Sequence, residues 1–483
     1  MIGRLLSITN PLGSFQYEYA GQSDLPTALL SIGGVLDTYF RYGPLNESRQ
    51  LRAIHHNALF PLQVMDFLYQ SDPEDRVVQA TDIGGQLIPQ YKSYQYDAAG
   101  RLTNEAAYPG GVTNYRYDPA DNITSMQAPE GSWTASYNDV NEIVERNDRS
   151  YSYDANGNLT SDGVRTYTWD AENRLVAIAY MDQPEKHSQF QYDGLNRRAI
   201  MTETNGTVSE TTTFLWDGTE LLRGQTGAEA TWYYKQGEIH GSRKLYYVRD
   251  RLGSVRETVG EDHVVKARMS YTPYGVTETR LPPFIGKASD YRYAGLFFHE
   301  QSGLYLAVFR VYDPEAGRWI SRDPVNLTIL DNKYTYSDNN PSNYSDYAGL
   351  LVTNRLLPGS QLYYDPVLHQ AFYAPPYASF RLESWYASHA PWWAIFPALW
   401  HGGTFDYQRP IPNKPNINYT QYVCAANYGV GVYERSEGIP ELIAILGNAA
   451  VLALHPGTFL QRFKADEPLW SAGYKGGAFV IGK

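Results

Sequence analysis

At 483 residues the chain exceeds the usual size of one domain, so two domains, or one large β architecture with an appendage, is the starting expectation. A net charge of −12 argues against a surface built chiefly to bind nucleic acid or anionic lipid, and the lone Cys424 excludes an intramolecular disulfide framework. Tyrosine is the anomaly: there are 42, beside 10 Trp and 17 Phe, and aromatics fit the pleated, half-buried surfaces of sheets.

The opening MIGRLLSITNPLGSFQYEYAG has no basic stretch leading into a continuous apolar core, so it does not read as a secretory signal. Residues 1–90 are Tyr-rich without a clear unit. From Ser93 onward a unit repeats: SYQYDAAGRLTNEA, then NYRYDPADNITSM from Asn114, SYNDVNEIVER from Ser136, YSYDANGNLTSDG from Tyr151, TYTWDAENRLVAI from Thr166 and FQYDGLNRRAIMT from Phe190. Its aromatic falls at Tyr96, Tyr117, Tyr137, Tyr153, Trp169 and Tyr192. Alternation as in Tyr94-Gln95-Tyr96 predicts a strand with one face on a core. Asp97 then initiates a turn through its side chain, Gly100 supplies a positive φ, and Arg101-Leu102-Thr103 begins the returning strand. No such hairpin hides its aromatic face alone, so neighbours must stack into a long sheet.

These units resemble the Tyr-Asp (YD) repeats of Rhs proteins and of the C components of insecticidal toxin complexes. The resemblance continues through LYYVRDRLGSVRETV (245–259), YTPYG (271–275), YRYAGLFFHEQSGLYLAVFRVYDPEAGRWISRDPVN (291–326) and KYTYSDNNPSNYSDYAGL (333–350). The run from 291 to 350 is similar to the Rhs-associated core. It implies a mainly β fold: a spiralling antiparallel shell, or partial cocoon, with a small α+β C-terminal domain. The expected divisions are 1–260 for the repeat shell, 261–350 for the core that plugs it, and 351–483 for a variable toxin domain. Because 350 residues are short for a closed shell, the chain is expected to begin mid-shell or to need a second chain to complete the wall.

In that family the core cuts the chain after its final Gly-Leu, using aspartates in an aspartyl-protease-like arrangement. Matched residue by residue, this implies Arg322, Asp323 and Asp346, with the cut between Leu350 and Leu351. Two neighbouring carboxylates cannot both ionise comfortably, so one can hold a proton while the other activates water; Arg322 would orient a carboxylate or polarise the scissile carbonyl. Asp313, in Asp313-Pro314-Glu315-Ala316-Gly317, is above all a turn residue. The family usually ends Asp-Pro-x-Gly-Leu, and Tyr347 stands in place of the proline. The expectation is a looser presentation of Asp346 and slowed or absent cleavage.

After Leu351 the unit disappears, and nine Lys/Arg balance eight Asp/Glu. LWHGGTFDYQR (399–409) and CAANYGVGVYERSEGIPELIAIL (424–446), with ADEPLWSAGY (465–474), resemble the polymorphic-toxin domain catalogued as toxin type 44, although Gln408 replaces its usual Lys. The implied site is Asp406, Asn427, Tyr428 and Asp466, with His401 as the acid–base group. The same residues also read as turns and loops, so nuclease chemistry stays open beside an inert domain. Leu442–Leu454 predicts a buried helix, started by Pro440 and stopped by His455-Pro456-Gly457, and is too short for a bilayer core that needs about 20 residues. His369, His389 and His455 are too scattered to suggest a metal site, and Cys424 lacks a local base. With no phosphate loop, His-Glu-x-x-His or Gly-x-Ser-x-Gly, neither cofactor nor metal is expected.

The implied function is a toxin carrier that encapsulates an effector and frees it by self-cleavage, against competitor bacteria or host cells. Implied partners are an immunity protein and a secretion or toxin-complex apparatus, with nucleic acid only as a toxin substrate. The implied location is cytoplasmic before export without a classical signal peptide. Two alternatives stand: a non-enzymatic cell-surface protein whose repeats bind carbohydrate, and an inactive displaced Rhs fragment.

Overall fold

The computed structural model describes residues 5–21, 25–44, 50–58, 65–84, 89–280, 289–324 and 332–350, and the backbone of three short strands beyond them. They fall into two compact units: Met1–Trp216 with Leu221–Asp323 and Leu330–Asn354, and Asp217–Glu220 with Pro324–Ile329 and Arg355–Lys483.

The first unit is a meander. Fourteen strands run in chain order from Ser7–Asn10 to Arg149–Ser150, and fourteen more from Ser152–Tyr153 to Thr277–Arg280, each beside the next in sequence and paired antiparallel. The two sheets are joined by one extended segment. Arg149–Ser150 pairs back to Ile143–Arg146, the Tyr151 N–H donates to the Val144 carbonyl at 2.9 Å, and Ser152–Tyr153 pairs forward with Leu159–Ser161. The meander reaches back to Ser7, well before the first unit legible in the sequence.

Each repeat turn is built by an aspartate or, at Asn138, by an asparagine. Asp97 Oδ1 accepts the backbone N–H groups of Ala99 and Arg101, both at 3.0 Å, and Oδ2 takes the Arg101 Nε–H at 2.7 Å. Asp72 with Arg76, Asp118 with Asn122, Asp154 with Asn158, Asp170 with Arg174 and Asp193 with Arg197 repeat this closure. The fourth turn position has positive φ and is Gly100, Asp121, Asn141, Gly157, Asn173 or Asn196, residues that tolerate the left-handed region.

The repeat aromatic ties one hairpin to the previous one. A bulge precedes it, as at Gln95/Tyr96 and Thr168/Trp169, and turns its tip toward the residue after the preceding turn. Tyr137 donates to the Ile123 carbonyl at 2.7 Å, Trp169 to Leu159 at 2.7 Å and Tyr192 to Leu175 at 2.8 Å. Guanidinium groups cover the rings, Arg101 over Tyr117 at 4.7 Å and Arg174 over Tyr192 at 5.1 Å.

A four-stranded sheet, Phe297–His299, Leu304–Leu306, Val311–Asp313 and Arg318–Trp319, follows the meander. Tyr293, Tyr305, Tyr312, Trp319 and Tyr336 fill its core, all buried, and the Tyr312 and Tyr336 ring centroids lie 4.2 Å apart. Beyond residue 350 the described backbone forms a three-stranded antiparallel sheet in which Gln361–Asp365 lies between Gln370–Ala374 and Phe479–Val480. The helix expected at 442–454 lies outside the described residues.

Candidate active site

Residues 318–324 and 332–343 lie along the ends of the repeat hairpins and bond to their turns one after another. Asn343 Oδ1 accepts the Val77 N–H at 2.7 Å, and its Nδ2 donates to the Tyr96 hydroxyl at 2.9 Å. Asn339 Nδ2 donates to the Asp121 carbonyl at 2.7 Å, and Arg318 Nη2 to the Asn141 carbonyl at 2.6 Å. The Tyr334 hydroxyl donates to the Gly157 carbonyl at 2.8 Å. A Cβ at Gly157 would lie 2.3 Å from Arg322 Nε and 2.6 Å from the Tyr334 hydroxyl, so this turn must be glycine for its approach as well as its φ of +84°.

This docking brings Asp323 and Asp346 to one guanidinium. Arg310 Nη2 lies 2.8 Å from Asp323 Oδ2 and 3.1 Å from Asp346 Oδ2, so the two carboxylate oxygens are no farther apart than those distances together. Arg310 Nε donates to the Gly349 carbonyl, and Nη1 to the Lys333 carbonyl at 3.3 Å. Its Cζ lies 4.3 Å from the centre of the buried Trp319 ring. Burying one cation with two anions requires extra donors, and the backbone supplies them. Asp346 Oδ1 accepts the N–H groups of Gly349 at 2.9 Å and Leu350 at 3.0 Å.

That chelated turn holds the chain up to Leu350, which is buried. Gly349 has φ +76°, and a Cβ there would sit 3.0 Å from Arg310 Cβ and 3.1 Å from its backbone nitrogen. Tyr347 occupies the position of the expected proline, is exposed, and leaves the turn closed by the Asp346 side chain. The carboxylates differ in access: the Asp346 side chain is 3% exposed and that of Asp323 19%. Both Asp346 oxygens are engaged, whereas Asp323 also faces solvent. The Asp323 backbone N–H donates to the Lys333 carbonyl at 3.0 Å.

The sequence-matched Arg322 is placed elsewhere, with Nη2 3.2 Å from Glu142 Oε1 and Nε 3.2 Å from the Tyr334 hydroxyl. It fastens the segment carrying Asp323 to a repeat turn. Asp313 closes its own turn, accepting the Glu315 N–H at 2.9 Å, and pairs with Arg165 at 3.3 Å. Arg310 was missed by family matching. Its signal was its setting, a single cation in the apolar run LYLAVFRVY, since a buried arginine needs carboxylates or carbonyls. His401, Asp406, Asn427, Tyr428, Asp466 and Leu351 lie outside the described residues. A separate cavity of about 70 Å³ is lined by Asp82, Lys92, Glu105, Asp250 and Arg256, whose charges pair with one another, Arg256 with Asp82 at 2.6 Å and Lys92 with Glu105 at 3.1 Å. Among the described residues no helix is long and apolar enough to cross a membrane.

The family model of the Teneurin YD-shell matches residues 64–344. The tRNA3(Ser)-specific nuclease WapA of Bacillus spizizenii is 32% identical over 265 residues, 51% of this chain and 11% of that protein. The double-stranded DNA deaminase toxin A of Burkholderia cenocepacia is 26% identical over 57% of this chain and 23% of its own length. The toxin subunit YenC1 of Yersinia entomophaga is 28% identical over 70% of this chain and 40% of its own. This chain therefore spans only a minor part of the length of these relatives. The crystal structure of TcdB2-TccC3-TEV superposes with a TM-score of 0.59 at 18% identity, covering 70% of this chain and 19% of that one, and so shares the fold.

Proposed function

Since the chain belongs to the Teneurin YD-shell family, we propose that it is part of a toxin carrier whose wall ends in a self-cleaving plug, releasing residues 351–483 as effector. The observation that carries this is the meeting of Asp323 and Asp346 on Arg310, with the Leu350 N–H bound to Asp346. Asp323, the more accessible carboxylate, takes a proton from water as the water oxygen bonds to the Leu350 carbonyl carbon. It returns that proton to the Leu351 nitrogen as the C–N bond breaks. Asp346 holds the strand end in place. The guanidinium between the carboxylates replaces the shared proton expected for an aspartyl-protease dyad.

The relatives named as nuclease, deaminase and toxin subunit support delivery by a secretion or toxin-complex apparatus; a cognate immunity protein protecting the producer belongs to the same proposal. Engagement of the repeat aromatics within the sheet favours a wall over a carbohydrate-stacking surface.

The test is a denaturing gel of purified full chain. Pieces of about 350 and 133 residues are expected from the wild type, and one uncut band from Asp323→Asn, a loss of at least about 1,000-fold. A wild type that stays whole under every condition contradicts cleavage. Arrested growth of bacteria producing residues 351–483 alone, relieved by a co-produced immunity protein, would identify the effector; unimpaired growth would contradict it.

A further inference from the structure

Resting on the reading of residues 332–346 as part of the plug, we propose that Ser337-Asp338-Asn339 is a strained joint in that segment: a left-handed turn that docking on the wall keeps in place, and whose relaxation favours lifting of the plug. The three residues have φ of +49°, +53° and +55°. Single Asn or Asp residues visit this region, but L-residues do not run through it in series, because each Cβ crowds the following carbonyl and disfavours the form by about 5- to 30-fold. Elsewhere among the described residues, non-glycine residues with positive φ stand alone or, at Asn147-Asp148, as a pair.

Little within the turn offsets this strain. The Asn339 N–H donates to the Tyr336 carbonyl at 3.0 Å and the Asn340 N–H to the Ser337 carbonyl at 2.9 Å, bonds that a right-handed turn also makes. Ser337 is buried, and its hydroxyl has no hydrogen-bond partner among the described residues, which adds a further cost. What holds the turn lies on either side of it. Upstream, the Tyr334 carbonyl accepts the Trp319 N–H at 3.0 Å, and the Tyr336 ring packs on Tyr312. Downstream, Asn340 Oδ1 accepts Asn343 Nδ2 at 2.7 Å, and Asn343 Oδ1 accepts the Val77 N–H at 2.7 Å and Arg251 Nη1 at 3.0 Å. The two halves are thus clamped to different hairpins, Asn122 and Gly157 for one, Val77 and Tyr96 for the other, with Asn339 bonded to Asp121 between them. When the segment lifts, these contacts are lost together and the turn relaxes, so the lifted state gains what the docked state stores. The plug is held less firmly than its contacts alone would hold it, which suits a piece that must part from the wall when the effector leaves.

The test compares Ser337→Ala with Ser337→Gly in the full chain by amide hydrogen exchange. Both variants lose the hydroxyl, and they differ only in the Cβ that makes the left-handed form costly. The Val77 N–H, covered by Asn343, reports lifting; the amides of Leu175–Tyr180, a strand paired on both sides within the wall, report opening of the wall itself. Exchange at Val77 is expected to be about 5-fold slower in Ser337→Gly than in Ser337→Ala, with Leu175–Tyr180 alike in the two. Asp338→Ala and Asp338→Gly, at the exposed middle position, form a second pair expected in the same order. Equal or faster Val77 exchange in the glycine variants would overturn the joint. So would equal slowing at Val77 and Leu175–Tyr180, since a turn that relaxes only when the whole wall unfolds is an ordinary structural one. The readout is docking and not scission, so failure of this proposal and failure of the cleavage reading are told apart.

Discussion

The repeat wall and the plug use the same pair of residue types in opposite ways. In the wall each repeat aspartate closes on an arginine or asparagine four positions later, as Asp170 does on Arg174 and Asp154 on Asn158, and the whole device fits within one turn. In the plug one arginine serves two aspartates brought from distant positions. A local device is repeated and tolerant, because each copy contributes little. The shared one is buried and depends on everything that docks the plug.

Two glycines at the same turn position test that difference first. Gly157 faces Arg322 and Tyr334, whereas a Cβ at Gly100 meets open space. Gly157→Ala is expected to destabilise by about 3–4 kcal/mol, from left-handed strain plus displaced plug contacts, and to slow cleavage. Gly100→Ala, with a φ of +84° and no clash, should cost about 1 kcal/mol. Equal losses in chemical denaturation would mean that the plug does not read the turns.

The wall also has a pH-sensitive point of its own. His56 is buried, its Nδ1 bonds the Met65 carbonyl at 2.9 Å, and its ring meets Phe67 edge-on. Burial lowers its pKa to about 4, against the smaller upward pull of the Met65 carbonyl and Asp66, with His55 adding to the lowering. Above the ordinary value of 6.5 both folded and unfolded forms are neutral. As pH falls from there toward about 4 the unfolded chain takes up the proton first, so stability declines by at most about 3 kcal/mol. His56→Gln should flatten that part of the stability profile. An unchanged slope would assign the acid sensitivity to other groups.

A smaller effect belongs to a single wall turn. Asp97→Ala removes the acceptor for two backbone N–H groups and the Arg101 Nε–H, and should cost about 1–2 kcal/mol without altering the cleavage rate. A large loss of cleavage in this variant would mean that wall and plug are coupled more tightly than their contacts indicate.

Where the structure was legible in the sequence, the determinant was local. The Asp-x-x-Gly/Asn turn and the aromatic before it sit within six residues, so the hairpins from Ser93 through the unit that begins at Phe190 could be placed from their pattern. Earlier hairpins escaped because Ser71 stands where the aromatic belongs before Asp72, although the Asp72–Arg76 closure is intact. In the plug, a family match pointed to Asp323 and Asp346, but no spacing could indicate that Arg310 would join them. That depends on a cation just before the strand Val311–Asp313 meeting partners that the docking of the segment along four turns brings to it. Arg322 illustrates the converse: adjacency to Asp323 in sequence did not place its side chain with that carboxylate.

Intact-mass measurement of the purified full chain tests the central claim most directly. The account predicts two masses whose junction is a new C-terminus at Leu350 and a new N-terminus at Leu351, and a single full-length mass for Asp323→Asn. One uncut mass for the wild type, or a junction elsewhere in the chain, would contradict it.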